Sequence, residues 1–325
     1  MLAFLLFILG INVGSFLNVC IWRLPRGESV SHPPSHCPSC NTRLKALDLI
    51  PLLSQFLLRG HCRYCGAKFS WRYFGIELLT GVLFALVAIQ PAMADVSLAT
   101  LSTAEMLRIG RDLIFMATLV VIFWVDYDTK LIQLESVLLL ALAGIGYEFW
   151  QAWNGLAPLE QGFRVADELL IAFPIPLPGS LAALGVVGAT LWLVREVFSR
   201  YYQREAMGFG DVMLVAAIAA NLGWNSTLVT FMFLSVVVGA LLMILLQMPR
   251  AFRAFRWAKA REARYGKSPA PPQALMRHAF RKGVPFGPML AGGAVVALLY
   301  GVQLNAAYLS LWVDPTTPTT MQQMR

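Results

Sequence analysis

Apolar stretches close to the ~20 residues that a helix needs to cross a bilayer recur along the whole length of this chain. Eight can be read, at 1–22, 74–91, 110–125, 135–153, 178–198, 211–223, 227–248 and 287–311, and the sixth is the shortest. Composition agrees: of 325 residues, 58% are hydrophobic and only 14% charged, and mean hydropathy is +0.63. These values exclude a soluble globule. The fold expected is an all-α polytopic membrane bundle of about eight transmembrane helices, interrupted after the first by a polar insertion. The expected division is a first helix over 1–22, a loop over 23–73, a membrane core over 74–311 and a disordered Thr/Pro/Gln-rich tail over 312–325. No internal repeat is apparent, and Ser268-Pro-Ala-Pro-Pro272 reads as a linker.

Orientation follows from the basic residues. Arg23, Arg26, Arg43, Lys45, Arg59, Arg63, Lys68 and Arg72 crowd the loop 23–73 against Glu28 and Asp48 alone. The loop 249–286 carries ten Lys/Arg and one acid, Glu262. The loops near 92–109 and 154–177 hold one Arg each and several acids. Eight crossings sort these loops onto two faces, which predicts both termini outside and the cysteine-bearing loop in the cytosol. The net charge of +8 then faces lipid headgroups rather than nucleic acid. Segment 250–265, with Phe252, Phe255 and Trp257 among six basic residues, reads as an interfacial helix on anionic lipid. The first apolar run has its positive charges after it, unlike a cleavable signal peptide.

Within the first loop lie Cys37-Pro-Ser-Cys40 and Cys62-Arg-Tyr-Cys65. Two C-x-x-C knuckles can converge four thiolates on one tetrahedral ion, which is how structural Zn²⁺ is held. Pro38 stiffens the first knuckle, and Gly66 follows the second where a tight turn favours positive φ. A redox dithiol pair or two disulfides are the other readings, and His36 and His61 stand beside cysteines as competing ligands. Cys20, in an apolar run, reads as a core thiol.

Two aspartates sit at the ends of apolar runs. Asp126 closes FMATLVVIFWVD and Asp211 opens GFGDVMLVAAIAA. Two crossings separate them, so both are expected at the cytosolic edge, where an ionisable residue is a functional-site candidate. Two neighbouring carboxylates cannot both ionise easily, and one charged with one protonated is what an aspartic protease uses. Gly208 and Gly210 flank Phe209 and permit close approach of a substrate strand. Helix capping is the plain reading of Asp211. Asp128, two residues beyond Asp126, points to a different helix face. Glu77 can serve a site or pair with Arg72 or Arg63, and Asn12 and Asn18 read as hydrogen-bonding partners for neighbouring helices. A transporter or channel using its carboxylates for protons or cations, and a membrane-anchored zinc or redox sensor, are the competing classes.

The segments GSFLNVCIWRLPRGES (14–29), CPSC, LDLIPLLSQFLLRGHCRYCGAKFSWRYFGIELLTG (47–81), VDYDTKLI (125–132), MGFGDVMLVAAIAANLGW (207–224) and VPFGPMLAGG (284–293) resemble the type IV prepilin peptidase family. These are G-x-G-D intramembrane aspartic proteases of the bacterial inner membrane that also act as N-methyltransferases. The resemblance implies Asp126 and Asp211 as catalytic residues and Cys37, Cys40, Cys62 and Cys65 as zinc ligands. It also implies S-adenosylmethionine as methyl donor. Prepilin or pseudopilin precursors, each with a short basic leader and a hydrophobic helix, are the implied substrates, cut after a glycine. Two positions depart from the pattern: Gln133-Leu134-Glu135 stands where Pro-Asp or Pro-Asn is usual, and Met213 where a Lys is common.

Overall fold

The computed structural model describes residues 1–90, 101–156, 160–165, 168–203, 205, 207–237, 241, 248, 252–253, 255–257 and 287–310, with the side chains of 160–177 left aside. It is mostly helical. The helices are α1 (Leu2–Arg23), α2 (Leu53–Leu57), α3 (Arg72–Ile89), α4 (Thr103–Thr129), α5 (Leu134–Trp153), α6 (Gly179–Tyr202), α7 (Phe209–Leu222), α8 (Ser226–Val237) and α9 (Gly287–Ser310). Each of the eight apolar runs falls wholly or partly in one of them. Among the described residues, four helices are long and apolar enough to cross a membrane: Leu2–Arg26, Arg72–Ile89, Gly179–Tyr202 and Gly287–Tyr308. Eight separate crossings are therefore not established. α7, at 14 residues, reaches only ~21 Å, short of a ~30 Å hydrocarbon core.

That short helix occupies the middle of the bundle. Every residue from Val212 to Leu222 except Met213 is buried, as expected of a helix apolar on all sides. α5, α6 and α9 pack around it. Asn221 ties it to α5 by donating to the Leu140 carbonyl at 2.7 Å. The largest buried side chains of α4, Phe115, Met116, Leu119 and Ile122, complete the core.

One element departs from the expected loops. Within 154–177 the backbone forms β1 (Glu160–Val165) and β2 (Glu168–Leu177), an antiparallel pair with two register shifts. Pro174 and Pro176 bar helix formation in this apolar stretch, and an edge strand tolerates both. At its far end Glu148 of α5 accepts the backbone N–H groups of Gly179 and Ser180, so a residue of one helix caps the start of α6. The basic segment 250–265 lies largely outside the described residues, although Phe252, Arg253, Phe255, Arg256 and Trp257 are helical. The tail 312–325 lies wholly outside them.

Among the described residues, α1 and α3 make the most intimate helix pair. Lipid offers no hydrophobic drive between helices, so close backbone approach must supply the attraction. A Cβ at Gly10 would lie 2.8 Å from the Gly81 Cα and from the Thr80 carbonyl, and one at Gly14 2.8 Å from the Glu77 Cα. Gly10-Ile-Asn-Val-Gly14 is a small-x-x-x-small stripe facing a matching gap at Gly81. Gly10→Ala is thus expected to cost about 1–3 kcal/mol of stability. Gly75→Ala, where a Cβ meets nothing within 4 Å, should be neutral. Thermal unfolding in detergent checks both, and equal melting temperatures would contradict the assigned close approach.

Candidate active site and metal centre

The two C-x-x-C units fold as near-copies of one another. In the first, Cys37 N–H donates to the Thr42 carbonyl at 3.0 Å and Asn41 N–H to the Cys37 carbonyl at 2.8 Å. In the second, Cys62 N–H donates to Ala67 at 2.7 Å and Gly66 N–H to Cys62 at 2.9 Å. The residue after each second cysteine is left-handed, Asn41 at φ 56° and Gly66 at φ 71°, and Asn and Gly are the residues that adopt this most readily. The turns bring all four Sγ atoms within 4.8 Å of one another, with Cys37 and Cys65 at 3.9 Å. Four sulfurs ~2.3 Å from a central ion would sit at such separations, so the set fits a tetrahedral metal. All four thiols are free.

Their charges are uneven. Cys40, with the Thr42 hydroxyl 3.3 Å from its sulfur, is drawn down to about 6, chiefly by that hydroxyl. Cys65, despite the Ala67 N–H that favours its thiolate, is pushed up to about 12 by desolvation and by the neighbouring sulfurs. Negative charge crowded on one cluster is what a cation relieves. His36 and His61 stay out of it, turning Nδ1 towards the Pro34 and Arg59 carbonyls at 3.1 and 2.9 Å.

The knuckle domain is pinned to α3 through Glu77. Glu77 of α3 accepts the Leu52 N–H at 2.8 Å. It pairs with neither Arg72 nor Arg63, contrary to one reading of the sequence. Arg63 binds Asp48 at 2.7 Å. Arg72 grips both carboxylate oxygens of Asp128, at 2.8 and 2.6 Å, with its guanidinium 4.3 Å from the Trp124 ring. This bidentate pair joins the start of α3 to the end of α4. Asn18 donates to the Tyr73 carbonyl at 3.2 Å, whereas Asn12 bonds within its own helix, to Ile8.

Asp126 lies in the last turn of α4 and is 4% exposed. Lys130 ends the helix in a left-handed conformation and returns its N–H to the Asp126 carbonyl at 2.9 Å. The Asp126 carboxylate accepts the Gly287 N–H at 2.8 Å. A Cβ at Gly287 would stand 2.7 Å from that same oxygen, so only glycine seats the start of α9 here. Asp211 lies in the first turn of α7, half-buried, and its carboxylate accepts the Gly208 N–H. A Cβ at Gly208 would approach its Oδ2 to 3.0 Å, and one at Gly210 would press on Ile132 at the same distance. The two carboxylates are close enough to repel one another. Asp128 faces away, towards Arg72. Gly287 was not singled out from the sequence, although Gly-Pro opening an apolar run marks a helix start.

If the sulfur cluster is a metal centre, the purified reduced protein should carry one metal ion per chain, lost in both Cys37→Ser and Cys65→Ser. Elemental analysis reads the stoichiometry. Metal-free protein with Cys37–Cys40 and Cys62–Cys65 disulfides in a mass map would contradict it.

Residues 8–91 match the Bacterial Peptidase A24 N-terminal domain, and residues 113–244 match the Type IV leader peptidase family. The chain is 31% identical to the prepilin leader peptidase/N-methyltransferase of Aeromonas hydrophila, over 94% of this chain and 93% of that protein. Its counterpart in Neisseria gonorrhoeae is 33% identical over 75% and 82%. That of Dickeya chrysanthemi is 35% identical over 68% and 75%. No solved structure matches. Similarity running nearly end to end with one such enzyme, together with both matched domains, places the chain in the type IV leader peptidase family.

Proposed function

We propose that this membrane protein cleaves the leader peptides of prepilins or pseudopilins and then N-methylates the new amino terminus. The convergence of Asp126 and Asp211 at one end of α4 and α7 carries the proteolytic half of this reading. Repulsion keeps the pair from ionising together, so one carboxylate is charged while its partner holds a proton. The charged one takes a proton from water as its oxygen attacks the scissile carbonyl. The protonated one donates to the carbonyl oxygen, where negative charge develops. Gly287 N–H occupies one Asp126 oxygen and fixes that carboxylate's orientation. An apolar groove between α6 and α7, walled by Gly185, Gly188, Trp192 and Met213, begins at Phe209, two residues before Asp211. A hydrophobic substrate helix lying there would bring its leader junction to the dyad.

Zn²⁺ is the metal that four thiolates in two knuckles suit best. Cys37, Cys40, Cys62 and Cys65 would hold it as a closed structural site, bracing residues 23–73 against the helices of 74–311. S-adenosylmethionine supplies the methyl group when bound. The basic loops 23–73 and 249–286 fit the cytosolic face of the bacterial inner membrane, where anionic headgroups lie.

Because the dyad acts as a unit, Asp126→Asn and Asp211→Asn should each abolish cleavage of a purified prepilin, and the double variant should be no worse. Asp128→Asn should keep substantial activity. Mass spectrometry of the products decides, and a dead Asp128→Asn beside an active Asp126→Asn would reverse the assignment.

Gly287→Ala tests the orientation of the first aspartate. The added methyl must displace the carboxylate or α9, and a ~1 Å misplacement costs on the order of 100-fold in rate. The loss is expected in kcat with KM for the prepilin little changed. A wild-type kcat would separate Gly287 from catalysis.

A further inference from the structure

The carboxylate pair accounts for cleavage and leaves methyl transfer without a place. One cavity away from the pair is large enough for a small molecule, about 490 Å³, within the ~300–1,000 Å³ usual for ligand sites. It lies between the last turns of α1, the knuckle domain and the first turns of α3. His36 and Pro38, on either side of Cys37, form part of its wall, so the metal centre braces it.

Charge is sorted around this cavity. Residues 1–90 contain three carboxylates, Glu28, Asp48 and Glu77, against eight Lys/Arg. All three carboxylates line the cavity, and of the eight cations Arg23 alone does. Arg23 is itself spent on the Ser29 and Pro33 carbonyls, at 2.9 and 2.6 Å. Asp48 is partly offset by Arg63 and by the Tyr64 hydroxyl at 2.8 Å, whereas Glu77, 8% exposed, faces no cation. A strongly basic loop thus encloses an acidic hollow.

Two further features point to what fills it. Trp22, Phe69 and Tyr73 give the wall aromatic surface, and the Arg26 guanidinium covers Trp22 from one side at 3.7 Å. Asn18 is 9% exposed and lines the cavity. Its Nδ2 donates to the Tyr73 carbonyl, which leaves its Oδ1 to accept from whatever occupies the hollow. A nucleotide phosphate would meet three carboxylates here. A cationic nucleoside would be drawn in by them, lay its base on the aromatic wall and offer an N–H or O–H to Asn18.

We infer that this cavity binds the methyl donor, S-adenosylmethionine, as a sulfonium-bearing nucleoside held by Glu77, Asn18 and the aromatic wall. The inference rests on the proposed methyl transfer and gives it a location. Tyr73 in the wall follows Arg72, which holds Asp128 beside the dyad, so the two sites share one mechanical link.

The test uses the full-length, metal-loaded protein in lipid nanodiscs with tritiated S-adenosylmethionine. Wild type should bind it saturably, with ADP failing to compete. Ultraviolet cross-linking should place the label within residues 15–23 or 69–77. Val19→Trp, which fills the cavity from α1, should weaken binding by about tenfold or more. Asn18→Leu should weaken it by about fivefold, the loss of one hydrogen bond. Metal content and melting temperature report whether Val19→Trp folds; if it does not, Asn18→Leu carries the decision. Undiminished affinity in the folded variants, or label outside residues 15–77, overturns the site. Wild type that methylates a cleaved prepilin yet carries its label elsewhere overturns the cavity and leaves the activity standing. Wild type that cleaves but neither binds the donor nor transfers a methyl group overturns both.

Discussion

A carboxylate that is 4% exposed at the end of an apolar helix cannot be left without a partner, and the packing at this end of the bundle answers that requirement. Asp126 finds its partner in the backbone of α9, at Gly287. The first N–H groups of any helix lack intrahelical acceptors, so a helix start is the natural place to satisfy a buried acceptor. Pro288 has no N–H to offer and pre-sets the helical φ, which suits it to the position after Gly287. Seating α9 on Asp126 brings α9 against both α4 and α7. The first turn of α7, with Asp211, is thereby held beside the first aspartate.

The shortness of α7 follows from the same arrangement. A helix of 14 residues does not span a bilayer alone, and it is tolerated because α5, α6 and α9 cover its sides. Contact between helices here is made by absent side chains as much as by present ones. A Cβ at Gly144 would lie 2.7 Å from the Ala220 carbonyl, so α5 meets α7 backbone to backbone, as α1 meets α3 at Gly10. Such contacts give van der Waals attraction that lipid cannot match, since its tails cannot enter gaps that narrow.

The knuckle domain is an outlying unit held by polar contacts. Too small to bury a core of its own, it gathers four cysteines that could hold a metal ion, the usual brace for a unit of this size. Glu77 of α3 reaches back to the knuckle domain at Leu52, while Arg72, five residues earlier in the same helix, reaches across to Asp128 of α4. The bidentate ion pair fixes the start of α3 to the end of α4, two residues from Asp126, with the Arg72 guanidinium over Trp124.

Much of this was legible in residue order. Apolar runs became helices because a backbone in lipid has few other ways to satisfy its hydrogen bonds. The C-x-x-C spacing led to convergent sulfurs because each knuckle is a local turn. The Gly10-x-x-x-Gly14 stripe went unread, because its partner face at Gly81 is not visible in residue order. The β1–β2 pair was missed because two prolines in an apolar stretch forbid a helix without demanding a strand.

What residue order could not settle is which distant groups meet. Gly287 and Asp126 are 161 residues apart, and nothing local to either says that one completes the other. Glu77 had Arg72 and Arg63 as plausible partners and took neither, because α3 turned Arg72 towards α4 while Asp48 claimed Arg63. The sorting of Glu28, Asp48 and Glu77 into one hollow is likewise invisible in a segment where basic residues predominate. Periodicity and spacing act over a few residues and determine elements. Pairing buried charge depends on which helix ends are brought together, and only the packed bundle decides that.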